Sequence, residues 1–257
     1  MRILVTFAVE AEFAPWRKLR NFRRMSVPVS HRGGPSWHRA TIGDLNVDVV
    51  LTGISLRGQG LGVAPDRKPN VCISSGLAGA LNESLHVGDI VAARAVVSAE
   101  AANVHASDRA LIDVAERTGA RLVNRFLTST QVLGTSEMKS RAAQKADVVE
   151  MEGFGVFNWA KTGTIPSVAV RSISDDFHED LPLDFQRATD TSGRVSLINV
   201  FFQLAQRPGQ LPQLIRFGKH SKQAAERLAG FLDRYVIAIY EARNSVGVKE
   251  TAQVLVQ

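Results

Sequence analysis

The chain has 257 residues, 45% of them hydrophobic and 22% charged, which suits one sizeable α/β core without a metal or disulfide staple. A single cysteine, Cys72, excludes an internal disulfide and points to a reducing cytoplasm. The net charge of +6 comes from scattered basic residues with no zinc-finger or RNP signature, so a basic surface is favoured over a nucleic-acid site.

"RILVTFA" (2–8) is apolar and β-rich, and predicts a buried strand. The acids of "AVEAEF" interrupt it, so it reads neither as a signal peptide nor as a membrane span. "EAEFAPWRKLR" predicts a helix with Pro15 in its first turn. "HRATIGDLNVDVVLTG" (38–53) predicts a hairpin turning near Gly43-Asp44. "VCISSG" (71–76) predicts a second buried strand, and "SGLAGAL" a glycine-containing turn after it. Within that strand Cys72 reads as a buried structural thiol. A strand follows over 87–97, a helix over 110–119 with a glycine stop, and a strand over 121–130. A helix capped by Ser136 is predicted over 136–145. "ADVVEM" reads as strand, "EGFGVFNWAKTG" as a helix stopped by Gly163, and 165–174 as strand. From Ser192 to Val246 the pattern is helical, with breaks at 207–212 and candidate breaks at Gly218 and Gly230.

Strands alternating with helices predict a largely parallel sheet covered on both faces. The division expected is an α/β domain over 1–190 and a helical extension over 191–257. Ligands of such sheets bind beyond the carboxyl ends of the strands. Acids fall at three of those ends: Glu10 and Glu12, Glu150 and Glu152, Asp175 and Asp176. At a fourth lies "SGLAGAL", whose small residues let backbone N–H groups approach a ligand. Singly, each acid reads as a helix cap or dipole partner. Together they predict a pocket for a polyhydroxylated or cationic ligand, or for a transition state carrying positive charge.

Four segments, "MRILVTFAVEAEF", "SGLAGALNESLHVGDIV", "VVEMEGFGVF" and "IPSVAVRSISDD", resemble in order the purine nucleoside phosphorylase / methylthioadenosine–adenosylhomocysteine nucleosidase superfamily. The resemblance spans about residues 1–177. The tail "RPGQLPQLIRFGKHSKQAAERLAGFL" resembles the hopanoid-associated phosphorylase-like branch. The resemblance implies a mixed, mostly parallel central sheet flanked by helices. It implies cleavage of a purine nucleoside's N-glycosidic bond by water or phosphate, with no cofactor, and a homodimer.

Residue by residue, the resemblance makes Asp175 the acid that protonates purine N7. Glu152 would hold the ribose hydroxyls and Met151 would pack on the sugar. Glu12 would activate water, with Arg171 near the nucleophile. Ala78 and Gly79 would supply the backbone of the ligand loop, and Glu150 and Ser174 complete the substrate-binding set. Chemistry agrees: breaking a ribosidic bond builds positive charge on the sugar, which a carboxylate stabilises. Asp175 needs a raised pKa to act as an acid, which burial and Asp176 would supply. Glu150 is open between a structural and a binding role.

The sequence also departs from the pattern. Segment 53–71 is short where the family has a helix, and 98–110 is short where relatives have a substrate loop. Leu77 replaces a frequent serine, which favours hydrolysis over phosphorolysis, although Arg57 or Arg171 would still suit phosphate. His86 and His178 read as surface residues, with His178 alternatively at the purine edge. Phe154, Phe157 and Trp159 read as core rather than as base-stacking groups. The basic, amphipathic tail reads as docked on the α/β body in preference to a peripheral membrane contact.

Overall fold

The computed structural model describes residues 1–25, 35–53, 68–182, 209 and 211–254, with side chains of the last helix described to Ser245. Segment 54–67, with Arg57, and the boundary at 190/191 lie outside the described residues, as does the helical prediction for 192–208.

Eleven strands form one sheet. They are β1 (Arg2–Phe7), β2 (Arg23–Met25), β3 (Ser36–Ile42), β4 (Leu45–Leu51), β5 (Val71–Ser74), β6 (Leu77–Ala80), β7 (Ile90–Ser98), β8 (Val104–Ala106), β9 (Arg121–Thr128), β10 (Val148–Glu150) and β11 (Ser167–Asp175). The helices are α1 (Glu10–Arg20), α2 (Arg109–Thr118), α3 (Ser136–Ala143), α4 (Gly153–Thr162) and α5 (Leu211–Val254). This is the mixed α/β architecture expected. The centre, β4-β1-β5-β11-β6, is parallel throughout. Antiparallel pairs lie at the β2-β3-β4 edge and in the second half. There β7 pairs with both β9 and β11, so β11-β6-β10-β9-β7 close into a ring.

Period-two alternation sends successive side chains of β1 to opposite layers. Ile3, Val5 and Phe7 pack with Phe13 and Trp16 of α1 and with Leu228, Phe231 and Leu232 of α5. Leu4 faces the other way, onto Val156 and Ala160 of α4. Helix α5 is bound to this body by polar contacts as well. Arg20 and Trp16 of α1 both hold Asp233, and Tyr235 Oη donates to Leu111 O at 2.7 Å. Cys72 is fully buried, and burial pushes its thiol up to about 12. Among the described residues no helix is long and apolar enough to cross a membrane.

Four local expectations need correction. Pro15 is the sixth residue of α1 and not in its first turn, because the helix already begins at Glu10. "SGLAGAL" is not a turn: the chain passes Ser75-Gly76 without reversing direction, and 77–80 form β6, paired to β11 and β10. Helix α3 is capped by the Thr135 hydroxyl, which accepts from Met138 N at 3.2 Å, and Ser136 is its first residue. Finally, α5 runs unbroken through Gly218 and Gly230. Each glycine costs a helix about 1 kcal/mol, and the apolar run from Leu228 to Ile239 buried in the core outweighs that.

Candidate active site

The carboxyl ends of β1, β10 and β11 meet the start of β6, and a cavity of about 210 Å³ opens there. Its walls include Glu12, Ala78, Gly79, Glu150, Met151, Glu152, Ser174 and Asp175. Eight of the nine candidate residues, drawn from four separate parts of the chain, therefore converge on one cavity. Arg171 does not reach its wall. Two further parts of the wall, the loop 131–133 and Leu181, belong to no motif singled out in the sequence, and Ala8-Val9 of "AVEAEF" complete it.

Glu12 serves two purposes. It is the third residue of α1, and its Oε2 accepts from Val9 N at 3.3 Å and from Ala8 N at 3.1 Å. That reaching back to the helix entrance is half of a capping box. Oε1 accepts from Leu77 N at 3.0 Å, so the helix cap also ties α1 to the strand that lines the cavity. Burial pushes the carboxyl above its ordinary value of 4.5, opposed by those three N–H groups and by the field of Arg171. A carboxylate offers about four acceptor positions, so three backbone bonds leave room for one water. Gly76 makes the arrangement possible: at φ +148° a Cβ there would sit 3.2 Å from Glu12 Oε1. Glu10 takes no part; it is exposed and paired with Arg17 at 3.0 Å.

Asp175 is the last residue of β11 and is 6% exposed. The register of β11 against β6 slips between Ile173 and Asp175, a bulge at Ser174 that sets Asp175 directly opposite Gly79. Bulges of this kind re-aim a side chain. Asp175 Oδ1 lies 2.8 Å from Ser174 Oγ, and Oδ2 lies 2.6 Å from the Lys139 ammonium. Asp176, the expected acidic neighbour, turns outward and accepts from Val87 N at 3.0 Å. The group facing Asp175 is therefore a buried cation from α3, which the sequence did not single out.

A Cβ at Gly79 would lie 2.9 Å from Asp175 Oδ2, the oxygen that Lys139 fixes. Gly79→Ala is therefore expected to displace the acid and cost about 10²-fold in kcat, since misplacements of about 1 Å have effects of that size. A melting temperature measured beside the rate separates this from unfolding; an unchanged kcat would show that the carboxylate accommodates the methyl.

Glu150 and Glu152 part company at the start of α4. Glu150, 4% exposed, is wholly engaged by protein. Its Oε2 pairs with Arg171 and accepts from Gly153 N at 2.7 Å and Glu152 N at 3.1 Å, while Thr128 Oγ1 donates to Oε1. Arg171, 1% exposed, also donates to Ser74 O at 2.6 Å and to Ser74 Oγ at 3.1 Å. Arg171 thus lies behind the wall and, through Glu150 in the wall, fixes the turn that carries Met151 and Glu152 into the cavity. Arg171→Met would leave a buried carboxylate without its cation. It is expected to lose about 3–5 kcal/mol of stability, read from urea unfolding. A loss under about 1 kcal/mol would mean that the pair contributes little to holding the turn.

The histidines and aromatics flagged in the sequence lie elsewhere. His178 is exposed and 3.3 Å from Glu83. Phe154 and Phe157 stack on His105 in the second half of the sheet.

A sheet of this order, with carboxylates from three strand ends in one cavity, defines a recognisable class of α/β proteins. The chain belongs to the phosphorylase superfamily, whose family model matches residues 3–237. The matched region extends into α5.

Solved structures of similar fold include the native futalosine hydrolase of Helicobacter pylori strain 26695. It is 19% identical, covers 92% of this chain and 97% of its own, and has a TM-score of 0.67. The 5'-methylthioadenosine/S-adenosylhomocysteine nucleosidase of H. pylori with butyl-thio-DADMe-Immucillin-A gives 0.68 at 19% identity over 92% and 97%. The corresponding nucleosidase from S. pneumoniae with the transition-state inhibitor MT-ImmA gives 0.66 at 19% identity over 93% and 100%.

Proposed function

We propose that this chain is a nucleosidase that hydrolyses the N-glycosidic bond of a purine nucleoside. The observation that carries the reading is the convergence of Glu12, Glu152 and Asp175 on one cavity. In the reaction the base leaves with its bonding electrons, aided by a proton that Asp175 places on N7. Positive charge then develops on the ribose, where Glu152 at the mouth of α4 faces it. Water held at Glu12 adds to the sugar and gives that residue its proton. Met151 packs on the ribose, Ala78 and Gly79 form the floor beneath it, and Ser174 holds the acid. Arg171 acts from behind, through Glu150 in the wall, and together they position Glu152.

Water is favoured over phosphate for two reasons. Three backbone N–H groups hold Glu12 in place as a base. In addition, four of the guanidinium's contacts leave Arg171 committed to Ser74, Val170 and Glu150, away from the cavity. The neighbouring nucleosidase structures point the same way. A homodimer in the cytoplasm is the expected setting, with docking favoured over membrane contact because α5 packs Leu228, Phe231 and Leu232 on the body, although Leu211 and Ile215 at its start are exposed.

The test is incubation with adenosine, methylthioadenosine and inosine, each with and without phosphate. Free base and free sugar at equal rates in both conditions are expected. Ribose 1-phosphate formed only with phosphate would make the chain a phosphorylase. Tight binding without turnover would make it a nucleoside-binding protein.

A further inference from the structure

Among the described residues, the mechanism leaves unused one buried charged group that touches its own site. Lys139 of α3 is 0% exposed, and its ammonium has three acceptors: Asp175 Oδ2 and Asp176 O, each at 2.6 Å, and Glu179 O at 3.0 Å. Burying an ammonium is costly, and here the Asp175 carboxylate and two backbone carbonyls offset that cost. Other charges nearby face elsewhere. The Asp176 carboxylate turns to Val87 N, the Glu179 carboxylate turns to Arg216 and His220 of α5, and Glu137 and Arg141 pair with each other on the outer side of α3.

We propose that Lys139 is the proton source of the acid: the group from which Asp175 draws the proton it delivers to the departing base. This deepens, and rests on, the nucleosidase reading. The step balances. As the bond from the sugar to the base breaks, its electron pair moves into the base. N7 takes a proton from Asp175, and Asp175 takes one from the Lys139 ammonium, which becomes a neutral amine. Water adds to the sugar and loses its proton to Glu12. Exchange with solvent then empties Glu12 and reloads Lys139, so a turnover restores both.

Ser174 suits either state of the acid. Its hydroxyl lies 2.8 Å from Asp175 Oδ1 and 3.2 Å from Ala78 O, and it has a single proton to give. It donates to the ionised carboxylate, or it accepts from the protonated one and donates to Ala78 O. In either state Asp175 Oδ1 keeps a hydrogen bond to Ser174.

The test uses the full chain and two substrates, a purine nucleoside and 4-nitrophenyl riboside, whose leaving group departs without a proton. Lys139→Arg keeps the buried cation but removes a proton that can be given up, because arginine does not deprotonate in proteins. Lys139→Gln keeps hydrogen-bond donors without charge. Both are expected to lose about 10²-fold or more in kcat on the purine nucleoside, the scale of a positioned acid. Both should cleave the nitrophenyl riboside at close to the parent rate. That retained activity is also the control for folding. Equal loss on both substrates by Lys139→Arg would overturn the proposal and leave Lys139 a structural residue. So would full purine activity in either variant. A parent inactive on both substrates would instead overturn the nucleosidase reading itself.

Discussion

Asp175→Asn is expected to slow release of a purine base by about 10²–10⁴-fold, equivalent to about 3–5 kcal/mol of barrier. The amide has nearly the same shape and keeps an oxygen for Lys139, but it has no acidic proton to place on N7. The loss should fall on kcat, because ribose contacts through Glu152 and Met151 are untouched. A second consequence follows from the pairing at 2.6 Å with Lys139. Without the carboxylate, a fully buried ammonium loses its counter-ion, so a fall in melting temperature should accompany the kinetic loss. Steady-state rates measured on folded protein separate the two. An unchanged kcat would remove Asp175 from the chemistry.

Glu12→Gln is the second large effect, expected at about 10²–10⁴-fold in kcat for loss of the base. Three backbone N–H groups point at the two carboxylate oxygens, and an amide has one oxygen to offer. At least one of those N–H groups then meets an NH₂. The pH dependence gives a separate signature. Burial raises the Glu12 carboxyl above 4.5, and a base must be ionised to act. The parent's kcat/KM should therefore fall on the acid side with an apparent pKa above 4.5, and Glu12→Gln should lack that limb.

The stability effect runs in the opposite direction. Because the folded state holds the proton more tightly, the Glu12 contribution is fully present below the unfolded pKa. It is lost as pH rises through the raised folded value. Denaturant unfolding of the two proteins between acid and neutral pH checks this. A difference between them that does not change with pH would mean Glu12 is not shifted.

Much of this arrangement was legible in the sequence, because strand ends in a parallel sheet have a known use and the acids sat at three of them. Glu12, Glu152 and Asp175 were found that way, and the family resemblance assigned their roles. What escaped were features set by contacts distant in the chain. Lys139 reads as an ordinary basic residue in a short helix; its burial depends on the segment 175–179 folding across it. The resemblance placed Arg171 near the nucleophile, yet pairing with Glu150 holds it behind the wall. "SGLAGAL" has the composition of a turn, and becomes a strand because 77–80 pair with β11 and β10, strands distant in the chain. The unbroken α5 shows the same thing: glycine propensity predicts breaks at Gly218 and Gly230, and packing against β1 and α1 overrides it.

The central claim is geometric, and a crystal structure of the Asp175→Asn protein soaked with a purine nucleoside tests it most directly. The account predicts an intact nucleoside in the cavity, with its hydroxyls on Glu152, base N7 turned toward position 175, and a water between Glu12 and the anomeric carbon. A nucleoside bound elsewhere, or one whose sugar lies away from Glu152 and Glu12, would contradict it.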